Sequence, residues 1–327
     1  MMRFTVAVTV VVTVTLVGRA ADAPLTLVTS MVLPRVEGRI DHLAFDVATQ
    51  RLYVAALGNN TVEVLDVKAG THLRSLPGFH EPQGIAVAAD AKVVAVANGE
   101  GEGIQLLTAD DNRSRAAVKL GDDSDNVRYE AEAKRLYVGF GSGALAAIDP
   151  AAAKTLGQVE LAGHPESFQL ERSGTRVFVN VPTVNQIAVI DRTAMTVIAT
   201  WPVTTAKSNF PMALDEANHR LFIGCRRPAK ALVFDTSAGK EISSFDIVGD
   251  TDDLFYDAAR KRVYITGGEG YVDVVEDEGS NKFARTAHIP TAAGARTSLF
   301  VADQSRLYLA VPHRGNQKAE IRVFEAR

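Results

Sequence analysis

The chain has 327 residues, 46% of them apolar, with 35 basic against 39 acidic side chains. That length and apolar share support a sizeable core, while a formal net charge of −4 supplies no basic face and argues against a nucleic-acid partner. A single cysteine, Cys225, excludes an intrachain disulfide, and the absence of Cys-x-x-Cys-His excludes covalent haem attachment.

The first residues read as an export signal. Arg3 supplies the positive charge, Phe4 to Val17 is an apolar run rich in Val and Thr, and small residues follow at Gly18, Ala20, Ala21 and Ala23. The run is short for a bilayer core, which needs about 20 apolar residues, and no later stretch is long enough either. The expectation is a signal peptide over residues 1–23, a mature protein that is periplasmic or secreted and does not span a membrane, and one domain over 24–327.

One short phrase then returns seven times: Arg51-Leu-Tyr-Val, Lys92-Val-Val-Ala, Arg135-Leu-Tyr-Val, Arg176-Val-Phe-Val, Arg220-Leu-Phe-Ile, Arg262-Val-Tyr-Ile and Arg306-Leu-Tyr-Leu, at intervals of 41, 43, 41, 44, 42 and 44 residues. A period in the forties built on β-branched and aromatic residues is the mark of propeller blades, which bury their faces only by stacking on neighbours. The first unit shows the order. Leu43-Ala-Phe45 is the inner strand, Arg51 to Ala56 the second, Val62 to Asp66 the third and His72 to Leu76 the outer one, with polar turns between. Third strands recur at Gly103 to Leu107, Ala144 to Asp149, Ile187 to Asp191, Ala231 to Asp235, Tyr271 to Val275 and Glu320 to Phe324. Asp66, Asp149, Asp191 and Asp235 close four of them and read as turn-formers. The Arg or Lys that opens each second strand repeats in every unit, which makes it structural. Cys225 falls in a repeat strand and reads as core packing.

The seventh unit stops at its third strand, and Leu25 to Leu33 is the one unassigned strand able to complete it. The fold class is therefore all-β: a seven-bladed β-propeller of four-stranded antiparallel blades, the ring closed by the N-terminal strand so that no edge stays open.

Arg51-Leu-Tyr-Val-Ala, the Ile187 to Asp191 run and Gly84-Ile-Ala-Val87 resemble the YVTN-repeat β-propellers, a surface-layer-like and periplasmic family of bacteria, over roughly residues 25–327. The motifs are structural, so the resemblance implies a fold and a compartment and assigns no activity.

Function belongs to the loops at the channel mouth, which a rigid scaffold holds in place. Aligning the units just before each inner strand gives Asp41-His42, Gln83-Gly84, Asp125-Asn126, Glu166-Ser167, Phe210-Pro211, Asp252-Asp253 and Thr297-Ser298, with Arg39, Asp123, His164, Asn209, Asp250 and Arg296 just upstream. Arg39, Asp41, His42, Asp125, Asn126, His164, Glu166, Asn209, Asp252, Asp253 and Arg296 are the expected ligand-binding residues. Asn126, Glu166 and Asp253 are the expected ligands of a divalent cation, Ca²⁺, Mg²⁺ or Mn²⁺, since oxygen donors suit these ions. Turns at Asn59-Asn60, Arg226-Arg227 and His313-Arg314 add a polar rim. His72, His219 and His288 read as structural.

No His-Glu-x-x-His, Gly-x-Ser-x-Gly, P-loop or EF-hand loop is present. The expectation is an exported, monomeric, non-catalytic propeller that binds a small molecule or another exported protein at the mouth. The alternative is a metal-dependent hydrolase of the lactonase type, because gluconolactonase-like propellers set a divalent cation among Glu, Asn and Asp in this position.

Overall fold

The computed structural model describes residues 23–101 and 103–327; residues 1–22, nearly all of the expected signal, lie outside the described residues. Seven four-stranded antiparallel sheets follow one another around a ring. The chain is a seven-bladed β-propeller. Blade 1 runs Leu43–Asp46, Arg51–Ala56, Thr61–Asp66 and Thr71–Pro77, from the channel outward. Blades 2 to 6 repeat that order. Blade 7 takes its inner three strands from Ser298–Val301, Arg306–Val311 and Glu320–Ala326. Its outer strand is Leu25–Val32, paired antiparallel from Leu25↔Ala326 to Val32↔Glu320. Both ends of the domain thus lie in one sheet.

Burial explains the repeated phrase. Leu52, Tyr53, Val54 and their counterparts are fully buried, because a second strand has a neighbouring blade on each face. Outer strands such as Thr71–Pro77 alternate exposed and half-buried residues, with one face in water. Among the described residues there are seven apolar clusters, and each spans two blades. One of them joins Met31, Tyr308 and Ile321 to Ile40, Leu43 and Leu52, which welds the last blade to the first. Each such side chain contributes about 1.5–3 kcal/mol on burial, so the cores stabilise contacts between blades and no blade stands alone. Cys225 is buried in the cluster between blades 4 and 5, and burial pushes its thiol up to about 12. It is inert packing.

Asp66, Asp149, Asp191 and Asp235 each accept the backbone N–H of residues two or three further on, at 2.7–3.0 Å. The arginines that open second strands pair with blade carboxylates: Arg176 with Glu171, Arg220 with Asp215 and Asp277, Arg262 with Glu276, and Arg306 with Glu325. Arg51 instead reaches the Ala109 and Asp110 carbonyls of the next blade.

The entrances to the inner strands differ from the sequence expectation in one respect. Gln83-Gly84, Phe210-Pro211 and Asp252 lie inside the strands Pro82–Ala88, Lys207–Asp215 and Thr251–Asp257, each at a register shift. These are β-bulges, which turn a side chain out of the ladder.

Candidate functional site: the upper channel mouth

In blades 1, 3 and 4 the entry pair is held by the same two backbone bonds. The Asp41 N–H donates to the Ala55 carbonyl and the Ala55 N–H to that of His42; Asp125 and Asn126 bond Gly139, and Glu166 and Ser167 bond Asn180, in the same way, all at 2.7–3.1 Å. Equal backbone positions in different blades point at one axis, which brings sequence-distant side chains together. Packing sharpens the placement. A Cβ on Gly84 would lie 2.1 Å from the Asp125 carbonyl oxygen, so glycine there lets blade 2 press against the Asp125 backbone.

The side chains form two compartments meeting at His42. The upper cavity, about 180 Å³, is lined by Arg39, Asp123, Asp125, His164, Glu166, Arg226, Asp252 and Arg296 together with Gln83 and Phe210. The lower one, about 510 Å³, is the channel itself, with His42, Arg128 and Asp253 among aromatic and aliphatic inner-strand residues. The imidazole of His42 lies between them, Nδ1 3.7 Å from Asp253 and Nε2 3.7 and 3.9 Å from Asp41 and Asp125.

Arginines organise one side of the mouth. Asp252 bridges Arg226 at 2.5 Å and Arg296 at 2.8 Å, Arg296 also holds Asp250 at 3.0 Å, and Arg39 pairs with the buried Asp41 at 2.7 Å. Arg226 is further fixed by the Thr251 carbonyl and by stacking 3.7 Å above the Phe210 ring. These guanidiniums are spent on carboxylates.

The other side is left short of partners. The Asp125 side chain is 9% exposed, and among the described residues its Oδ1 is buried without a hydrogen-bond partner; the imidazole nitrogens of His42 and His164 stand 3.9 Å from Oδ1 and Oδ2. Burial, reinforced by Asp125 and Asp252, pushes the Glu166 carboxyl up to about 8. Burial likewise raises Asp41, Asp252 and Asp253, whereas for Asp125 the attraction of His164, His42 and Arg39 outweighs burial and lowers it. Burial would lower the two histidines, but the surrounding carboxylates prevail: Asp253 and Asp41 carry His42 up to about 10, and Asp125 with the Gly141 carbonyl carries His164 to about 9. A protonated His42 has no lone pair for the Asn126 amide 3.4 Å away. Rotating that amide by half a turn presents its buried, otherwise unpartnered Oδ1 to the His42 Nε2–H.

Not every expected residue reaches the mouth. Asn209 is buried between blades 4 and 5, donating to the Asn180 side chain at 2.8 Å and to the Gln186 carbonyl; its bulged strand carries it into the inter-blade seam and it does not line the cavity. Asn126, Glu166 and Asp253 do not form one ligand set. Glu166 lines the upper cavity, Asp253 lies beneath His42 with its carboxylate on the Ser298 N–H, and Asn126 contacts His42. The group whose donor atoms do converge is Asp125, His164 and Glu166, all within 4.8 Å of one another. Arg226, read from sequence as a rim residue, lines the cavity. The sequence placed it in a turn, whereas it lies inside the second strand of its blade, Arg220–Arg227.

Comparison with known proteins gives the fold and no more. No family model matches the chain, and no curated protein does. Among solved structures, the Kuenenia stuttgartiensis hydrazine synthase superposes with a TM-score of 0.74 at 15% identity over 87% of this chain and 97% of the other. A chain of the mitotic checkpoint complex superposes at 0.77, with 14% identity, over 97% and 98%. At such identities a shared propeller implies nothing about a shared site.

Proposed function

We propose that the protein is an exported, non-catalytic β-propeller of the YVTN-repeat type that binds a small, positively charged ligand at the upper mouth. The observation that carries this reading is the pair Asp125, whose Oδ1 is buried without a hydrogen-bond partner, and Glu166, half-buried beside it in the same cavity. Ionising a buried carboxyl is costly unless a cation meets it, which is why Glu166 beside Asp125 is pushed up to about 8; a bound cation would relieve that cost, and the neighbouring guanidiniums are engaged by other carboxylates. Cavity size supports a small ligand: about 180 Å³ is below the roughly 300–1,000 Å³ of pockets for drug-sized molecules. A protein partner is the other occupant, and one structural neighbour belongs to a complex by name; the small volume of the cavity favours the small ligand. Export rests on the composition of residues 1–23 and the family on the repeated strand phrase. No helix among the described residues is long and apolar enough to cross a membrane.

The test is thermal shift of chelator-treated protein with small amines and, as controls, carboxylates of similar size. Amines are expected to raise the melting temperature, and Glu166→Gln to abolish the rise. Stabilisation by the carboxylates alone, or an unchanged response in the variant, overturns the reading. A second reading, a metal-dependent lactonase-type hydrolase, draws on the convergence of Asp125, His164 and Glu166. Lactone turnover by metal-loaded protein would favour it over plain binding.

A further inference from the structure

We infer that Asp125, His164 and Glu166 form a site for a single divalent transition-metal ion, which names the positive charge that the mouth receives and rests on that reading of the mouth. His164 carries the argument. Its Nδ1 lies 2.7 Å from the Gly141 carbonyl and 3.3 Å from an Asp123 oxygen. A carbonyl only accepts, so Nδ1 keeps the hydrogen and Nε2 is the nitrogen free to take a metal, the usual arrangement for a ligating imidazole. That Nε2 faces Asp125 Oδ2 at 3.9 Å.

The spacing suits an ion. Metal–nitrogen and metal–oxygen bonds of about 2.0–2.2 Å put donor atoms about 3–4 Å apart across the metal. The three donors here lie within 4.8 Å of one another, so side-chain rotations of about an ångström or less close the shell at that bond length. Asp125 is the independent witness: its side chain is 9% exposed, its Oδ1 is buried without a hydrogen-bond partner, and its backbone is pinned to Gly139 and pressed by Gly84. Such a carboxylate is held in place with an oxygen still free to take a ligand. The chemistry also selects among ions. Two carboxylates with an imidazole favour Mn²⁺, Co²⁺ or Zn²⁺, whereas Ca²⁺ and Mg²⁺ prefer oxygen alone.

The experiment is calorimetric titration of the full mature chain, stripped with chelator, with chlorides of Mn²⁺, Co²⁺, Zn²⁺, Ca²⁺ and Mg²⁺, and visible absorption of the Co²⁺ form. One ion per chain is expected, with a transition metal tighter than Ca²⁺ or Mg²⁺. His164→Ala and Glu166→Gln should each weaken it by about tenfold or more. His72→Ala, which alters a histidine bonded to Glu63 in an outer seam, should leave it unchanged. The inference is overturned if no ion binds, if Ca²⁺ binds tightest, or if folded His164→Ala or His164→Gln binds as well as the parent. Failure here, with amines still stabilising the stripped protein through Glu166, would overturn the metal and leave the mouth as a cation site. Failure of both removes the mouth reading itself.

Discussion

Aspartate does opposite things at the two ends of the blades. Asp191 and Asp235, in turns after third strands, lie at the surface, and the backbone N–H groups of their own turns hold them below the ordinary carboxylate range, with Thr175 helping Asp191. At the mouth, Asp41, Asp252, Asp253 and Glu166 are enclosed and raised, chiefly by burial. A turn aspartate is satisfied by its own neighbours in sequence. A mouth carboxylate depends on residues from other blades, and the ring confines more negative charge there than its arginines neutralise. Local chemistry makes a structural group, and assembly makes a reactive one.

The strongest way to break this contrast is to open the ring. A chain starting near Gly38 lacks Leu25–Val32 and leaves Glu320–Ala326 as an open edge. Aggregation, or a large fall in melting temperature by calorimetry, is expected, together with loss of every cation response. A truncated chain as stable and monomeric as the parent would refute the closure.

Smaller in effect is Asp252→Ala, which strips a shared carboxylate from Arg226 and Arg296. Removing one partner of an enclosed ion pair costs about 3 kcal/mol or more, to be read from denaturant unfolding. Asp235→Ala should cost on the order of 1 kcal/mol, the worth of a turn's hydrogen bonds, and leave cation binding alone. Equal losses from the two variants would erase the distinction between the regions.

The pH dependence sharpens it further. Glu166 releases its proton near 4.5 when unfolded and near 8 when folded. The folded chain therefore binds more protons in that interval and loses stability as pH rises through it. His164, at 6.5 unfolded and about 9 folded, has the same sign: its contribution is complete below 6.5 and lost as pH climbs through 9. Metal-free protein should thus melt progressively lower from about pH 5 to about pH 9. Glu166→Gln should flatten the acidic part of that slope, and His164→Ala the alkaline part. A slope of the same size in both variants would assign it to other groups.

The repeated Arg-Leu-Tyr-Val phrase, its period and the missing outer strand by themselves determined the blade count, the strand order and the closure. Propeller strands and turns are specified by neighbours in sequence, and the period counts them. The turn role of Asp66, Asp149, Asp191 and Asp235 was legible for the same reason. The positional alignment also found most residues that converge on the mouth, since equal places in equal blades face one axis. What only the tertiary structure decided is which of them share a compartment. Bulges at Gln83-Gly84, Phe210-Pro211 and Asp252 rotate side chains by an amount no spacing records. Asn209 was carried into a seam, Asp253 fell below His42, and Asp125 and His164 came beside Glu166. Whether a carboxylate meets a guanidinium, a backbone amide or nothing depends on packing between blades, and that is fixed only when seven sheets close into a ring.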